Sequence, residues 1–206
     1  MRFEKLEGGK KPMEWARFRI SGISVPFANA IRRTIMSGID VLAIEDVTFI
    51  ENSSGLYDEI LALRLGLVPL TTPEGMVRRD KCECGGTGCQ RCTVKLTIER
   101  EEPGMVYSGE IKTDHPEAKP VFDKIPLTLL AEGQKLIVEC DAILGKGSEH
   151  AKFQPALCTY DIEEFDEKRD HYKFYVESFG AMSVQKLVEK AGEILEAKAK
   201  KFAEKL

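Results

Sequence analysis

Several absences limit what this chain of 206 residues can do. No apolar run is long enough to span a bilayer, and Met1-Arg2-Phe3-Glu4-Lys5 leads into mixed polar sequence with no signal-peptide core, so a soluble, cytoplasmic protein is expected. Lys and Arg number 30 against 34 Asp and Glu. That balance supplies no broadly basic surface for neutralising phosphates, and DNA is not an obvious direct partner. The three histidines, His115, His150 and His171, lie in separate segments, without a Ser or Cys nucleophile in a recognisable context. Each is expected to be a satisfied surface or core side chain. Glycine is dense only at 85–88, which rules out a phosphate loop elsewhere, and no Asp-rich cluster of the kind used in two-metal nucleotidyl transfer is present. There is no internal repeat and no low-complexity segment.

With 43% hydrophobic residues the chain can bury a core, enough for one large domain or two small ones. The 31% charged content, rich in Glu and Lys, is of the kind thermophile proteins favour. Residues 13–20 alternate, with Ala16, Phe18 and Ile20 on one face and Trp15, Arg17 and Arg19 on the other, which predicts a strand. A helix follows, with Ser24 as N-cap, Pro26 in the first turn and Gly38 closing the end with positive φ. Its stripe is Phe27, Ile31 and Ile35, with Arg32 and Arg33 off it. Residues 41–50 read as a strand and 57–65 as a short helix, ended by Gly66 and Pro69. From Val94 to Leu144 the alternation of Val94, Leu96 and Ile98, then of Leu136, Val138 and Cys140 after a Glu132-Gly133-Gln134 turn, predicts a separate β-rich domain. An acidic run, 161–170, precedes a strand through Tyr172, Phe174 and Val176 that is expected to return to the first sheet. The last helix, 183–206, carries Val184, Leu187, Val188, Ala191, Ile194, Leu195, Phe202 and Leu206 on one stripe. Such a stripe either packs on its own sheet or forms an intersubunit seam, and a wide one can do both.

Four of the six cysteines fall within 82–92. Cys82-Glu83-Cys84 and Cys89-Gln90-Arg91-Cys92 offer four thiolates on two knuckles, and Gly85, Gly86 and Gly88 permit the positive-φ turns that aim them inward. Four soft ligands predict a closed structural zinc site in preference to iron, with no position for a catalytic water. Cys140 and Cys158 stand alone in strand-like surroundings and read as small buried hydrophobes. One stretch, Cys-Gly-Gly-Thr-Gly-Cys-Gln-Arg-Cys, is similar to one repeat of the J-domain co-chaperones, yet it occurs once and without a His-Pro-Asp tripeptide. Asp58 and Glu59 point about 100° apart on a helix and do not converge on one site; they fit its N-terminal charge preference and a contact with Arg64. Asn52-Ser53-Ser54 matches a glycosylation sequon by pattern alone.

Asn29-Ala30-Ile31-Arg32-Arg33, then Asn52-Ser53-Ser54, Asp58-Glu59 and Arg64-Leu65-Gly66-Leu67-Val68-Pro69-Leu70 follow one another in order. Gly147-Ser148-Glu149-His150-Ala151-Lys152-Phe153 and Phe174-Tyr175-Val176-Glu177-Ser178-Phe179-Gly180 come later. This series resembles the alpha-like assembly subunits of multisubunit RNA polymerases, and most closely the archaeal members of that family and their eukaryotic third-largest-subunit relatives.

The resemblance implies an α+β fold: an alpha-subunit-like dimerisation domain, 1–42 and 162–206, built as an antiparallel sheet with helices and interrupted by a β-rich insert domain, 43–161, that carries the zinc loop 82–92. It implies a noncatalytic platform that pairs with the small subunit L, docks the large catalytic subunits, joins small subunits N and P, and meets DNA only through the complex. The dimer seam would comprise Phe27, Ile31, Ile35, Val184, Leu187, Val188, Ala191, Ile194, Leu195 and Phe202. Arg32, Arg33, Glu59, Arg64, His150 and Lys152 would face the large subunits. Some relatives carry an iron-sulfur insertion, and the segment from Cys158 to His171 has neither the length nor the cysteines for it, so no iron-sulfur cluster is expected. Two other readings compete: a zinc ribbon that touches DNA through Arg78, Arg79, Lys81 and Arg91, and a metalloenzyme, which needs an open metal position.

Overall fold

The computed structural model describes residues 1–10, 13–163 and 170–205. The chain runs β1 (Arg2–Gly9), β2 (Trp15–Ser21), α1 (Val25–Ser37), β3 (Asp40–Asn52), α2 (Asp58–Gly66), β4 (Thr93–Arg100), β5 (Gly104–Tyr107), β6 (Lys112–Thr113), β7 (Pro126–Leu130), β8 (Leu136–Lys146), β9 (Ala156–Glu163), β10 (His171–Ser178) and α3 (Val184–Ala203). Single 3-10 turns occupy Arg79–Lys81, Ser108–Glu110 and Ala151–Phe153. Two compact units result: Met1–Asp40 with Lys146–Leu206, and Val41–Gly145. The second compact unit ends at Gly145, whereas the expected insert domain runs on to 161. Strand β9 belongs to the first unit because it pairs with β10 along its length, from His171 against Glu163 to Ser178 against Ala156.

In the first unit an antiparallel sheet runs β1-β2-β10-β9. Alternation buries Phe18, Ile20, Tyr172, Phe174, Val176, Ala156 and Cys158. Phe18 and Phe174 are directly opposed, their rings stacked 5.3 Å apart, and Phe3 stacks on Phe18 from β1 at 5.1 Å. The segment after the acidic run therefore does return to the first sheet, although residues 164–169 of that run lie outside the described residues. On the other face Arg17 sits 5.6 Å from the ring centres of both Trp15 and Tyr175, and Arg19 bridges Glu4 and Glu163.

Helix α1 packs on α3 and β9, and α3 also touches β10. Ser24 stands extended at the N-cap position of α1 without a side-chain cap bond. Gly38 does not take the positive φ expected of it; its φ is −102°. The fit there is tight, since a Cβ would lie 3.0 Å from the Thr34 carbonyl oxygen that the Gly38 N–H bonds. The buried face of α1 is Ala28, Ile31, Thr34 and Ile35, so the stripe is turned away from Phe27, which is exposed.

The second unit holds a sheet in the order β3-β8-β4-β6 and a two-stranded sheet of β5 and β7. Val94, Leu96 and Ile98 of β4 and Leu136, Val138, Cys140 and Ala142 of β8 form its core, joined by Leu61 and Leu65 of α2. Gly133 makes the expected turn at φ +76°. Cys140 and Cys158 are both buried, which pushes each thiol up to about 12 and keeps it inert.

Candidate metal centre and assembly surfaces

The sulfurs of Cys82, Cys84, Cys89 and Cys92 all lie within 4.8 Å of one another. Individual separations are 3.5 Å for Cys82 to Cys89, 3.6 Å for Cys84 to Cys92 and 3.9 Å for Cys89 to Cys92. A tetrahedron with zinc–sulfur bonds of about 2.3 Å has edges of about 3.8 Å. The donor set and its dimensions therefore fit a four-thiolate metal. Gly85, Gly86 and Gly88 have φ of +67°, +85° and +88°, the turns foreseen from their spacing. Backbone N–H groups point at the sulfurs, that of Cys89 reaching Cys92 Sγ at 3.4 Å. A hydrogen bond from Cys82, with the N–H groups of Gly88 and Gly86, pulls the Cys84 thiol down to about 5. Cys82 is pushed up to about 12: the Cys84 N–H lowers it, but the thiol of Cys84, burial, and the Cys89 and Cys92 thiols outweigh that.

The Asn52–Leu70 block is a local knot followed by a helix. Asn52 Nδ2 donates to Leu56 O at 3.0 Å and to Asp58 Oδ1 at 2.7 Å. Its Oδ1 accepts from Ser54 N at 3.1 Å and Ser54 Oγ at 2.7 Å. One amide thus fixes the entry to α2, and Asp58 is engaged by the turn. Arg64 does not meet Asp58 or Glu59; its Nη1 donates to Leu127 O on β7 at 2.8 Å. Positions five and six residues apart do not share a helix face. Leu61 and Leu65 are buried, whereas Tyr57, Ile60, Leu63 and Leu67 are exposed, Tyr57 to 81%.

Residues 44–158 match the sequence model of the RNA polymerase Rpb3/RpoA insert domain. The chain belongs to this family. It is 46% identical to the DNA-directed RNA polymerase subunit Rpo3 of Thermococcus kodakarensis, over 77% of this chain and 58% of that protein. Against Rpo3 of Pyrococcus furiosus it is 44% identical, over 73% and 56%, and against Rpo3 of Methanothermobacter thermautotrophicus 43%, over 69% and 56%. The chain therefore spans somewhat over half the length of these relatives. The insert-domain match runs past the compact second unit, through the 3-10 turn at Ala151–Phe153 and into β9.

In this Rpb3/RpoA-type chain the expected seam residues fall into two groups. Ile31, Ile35, Val184, Leu187 and Ala191 are buried by the chain's own first unit. Val188, Ile194 and Leu195 are half-buried, and Phe27 and Phe202 are exposed, Phe202 to 68%. Leu206, the last residue of the expected stripe, lies outside the described residues. Among the expected large-subunit contacts, Arg32 is tied to Asn29 Oδ1 at 3.1 and 2.9 Å, while Arg33 and Glu59 are exposed. His150 Nδ1 accepts from Lys152 N at 3.1 Å and caps the turn at 151–153, and Lys152 Nζ lies 5.2 Å from the Phe153 ring centre. His115 and His171 are likewise engaged locally, with Glu117 N and Ser21 Oγ. Each histidine thus has a structural role.

An open groove of about 580 Å³ lies in the first unit between β1, β2 and the start of α3, lined by Phe3, Trp15, Phe18, Val184 and Val188. No helix among the described residues is long and apolar enough to cross a membrane.

Proposed function

We propose that this chain is a noncatalytic assembly subunit of a DNA-dependent RNA polymerase. Its first unit pairs with the small alpha-like subunit L, its second unit carries a structural zinc, and together they dock the large catalytic subunits, with small subunits N and P joining the same platform. The observation that carries this reading is α3, whose apolar stripe outlasts its own core: within the helix no described residue beyond Ala191 is buried, yet Ile194, Leu195 and Phe202 continue the stripe. A helix of 20 residues reaches about 30 Å, and in its outer half Ile194 and Leu195 are only half-buried and Phe202 is exposed. The groove beside the start of α3 extends the same apolar face. The names of the archaeal relatives support the assignment to polymerase.

Helix α2 supports docking of a large subunit. A helix that is apolar on all sides is an interior element. Here Leu61 and Leu65 face the core, while Ile60, Leu63 and Leu67 are exposed to 45%, 55% and 53%. Glu59 and the Arg64 stem flank this ridge, and Arg33, His150 and Lys152 remain candidates for further contacts. Zinc, when bound, supplies a closed crosslink between two knuckles and offers no catalytic water. The alternative of DNA binding by the loop is weakened because Arg78 pairs with Asp80, Arg79 with Asp46 and Asp141, and Arg91 with Glu83.

Co-expression with a small alpha-like subunit, followed by size-exclusion chromatography and metal analysis, tests the proposal. A compact 1:1 species containing one zinc, able to capture the large subunits, is expected. A stable solitary monomer that ignores every polymerase component would sink it.

A further inference from the structure

The two knuckles of the cysteine cluster are anchored differently. Cys92 is buried and is followed at once by Thr93, the first residue of β4, an inner strand of the β3-β8-β4-β6 sheet. Cys82 and Cys84 belong to no strand and follow the 3-10 turn Arg79–Lys81. The side chain of Arg79 closes that gap. Its Nη1 donates to Asp46 Oδ2 on β3 at 3.0 Å and its Nη2 to Asp141 Oδ2 on β8 at 3.2 Å. Lys95 of β4 holds the other Asp141 oxygen at 2.7 Å. On the loop side, the Arg79 carbonyl accepts from Cys82 N at 3.4 Å. The guanidinium lies against Gly88, the residue before Cys89, where a Cβ would come within 3.3 Å of Nη2. Its Nε is buried and has no hydrogen-bond partner among the described residues.

One cation therefore ties both halves of the cysteine loop to two neighbouring strands. Four thiolates around a divalent metal carry net negative charge, so a guanidinium held against the loop also favours the loaded state. We propose that Arg79 is a positioning residue for the metal centre, linking metal occupancy to the stability of the insert sheet. The proposal rests on reading the cluster as a metal site. Coupling of this kind is reciprocal: metal stabilises the sheet, and the sheet, through Arg79, retains the metal. Outer partners of metal ligands change affinity by about 10–100-fold when removed.

The full-length chain, loaded with zinc, is compared as wild type, Arg79→Ala, Arg79→Lys, Asp46→Asn and Lys135→Ala. Two quantities are read: the rate of zinc transfer to a chromophoric chelator, and the rise in thermal midpoint on adding zinc to the metal-free chain. Arg79→Ala is expected to release zinc at least about tenfold faster and to show a smaller rise. Arg79→Lys and Asp46→Asn fall between it and wild type, because a single ammonium cannot span two carboxylates as a fork does. They also keep the test open if the alanine variant does not fold. Lys135→Ala, which breaks an exposed pair with Glu101 at the end of β4 and β8 remote from Cys92, should behave as wild type. A purely structural Arg79 would lower the midpoints of metal-free and loaded chains equally, leaving the rise and the release rate at wild-type values, and that result overturns the proposal. If wild type itself takes up no zinc, the metal reading fails first and the coupling fails with it.

Discussion

At the scale of single residues, the most informative side chain is Asn52, whose amide makes four hydrogen bonds that set the entry to α2. Replacing it with alanine strands the Leu56 carbonyl and Ser54 N–H, and chemical denaturation should show a loss of about 1–3 kcal/mol. Asn52→Asp puts a carboxylate against Asp58, so its loss should be greater at neutral pH than in acid; equal losses at both would remove the proposed contact from the account. The pair of Arg19 and Glu163 gives a pH dependence of definite sign. The hydrogen bond from Arg19 holds the Glu163 carboxyl below its usual range. A depressed carboxylate stabilises the fold above its unfolded pKa and loses that contribution as pH falls through the folded one. Acid titration of Arg19→Gln should therefore show a shallower decline than wild type in the acid range below the ordinary carboxylate pKa, with only a small difference at neutral pH because the pair is partly solvated. Sequence alone marked Asn52, Ser54 and Arg64 as a motif but not their partners. The carbonyl that Arg64 bonds belongs to Leu127, a main-chain group remote in sequence that no spacing rule can announce.

At the scale of elements, periodicity located both main helices and the strands β2, β3, β4, β8 and β10, since apolar alternation and helical spacing follow from backbone geometry; the polar β1, the short β5, β6 and β7, and β9 were not read as strands. What it could not fix was where a stripe stops being covered. That depends on how far the sheet extends beneath the helix, which is a tertiary fact. Helix α3 makes the difference measurable. Leu187 is fully buried, so Leu187→Ala should destabilise the isolated chain by about 2–5 kcal/mol. Phe202→Ser removes an exposed ring and should change the stability of the isolated chain by less than about 0.5 kcal/mol. If the outer half of α3 is a seam, the same substitution should weaken binding of the small alpha-like subunit by about tenfold or more, a loss usual for a central aromatic anchor. Unchanged binding in a titration of the two proteins would leave the stripe without its assigned partner. The turn of α1 away from Phe27 teaches a related point: Ala28 and Thr34, small or polar in composition, are the residues its neighbours in fact cover.

At the scale of the molecule, the chain leaves its first unit once and returns once, and the two crossings lie side by side. Asp40 and Lys146 approach to 4.0 Å, Ser148 N donates to Ser37 O at 3.2 Å, and Gly147 packs so closely on the Met36 carbonyl that a Cβ would come within 2.6 Å of it. That β9 joins the first sheet is fixed by its pairing with β10, a partner its own alternation does not announce. The cysteine cluster was legible because its members are close in sequence as well as in space. This topology predicts that residues 41–145 can be replaced by a short glycine link joining Asp40 to Lys146 without opening the first unit. The β1-β2-β10-β9 sheet and its helices α1 and α3 take nothing from the excised stretch, and of β3 and β8 only Asp40 and Lys146 would remain. The shortened chain should keep a cooperative thermal transition and still bind the small alpha-like subunit, while losing zinc and any capture of the large subunits. Retained binding of the large subunits would move their docking surface off α2 and onto the first unit. A shortened chain that is unfolded by near-ultraviolet circular dichroism would mean that the insert is needed to hold the two crossings together, and that the sheet and helices of the first unit are not a self-sufficient core.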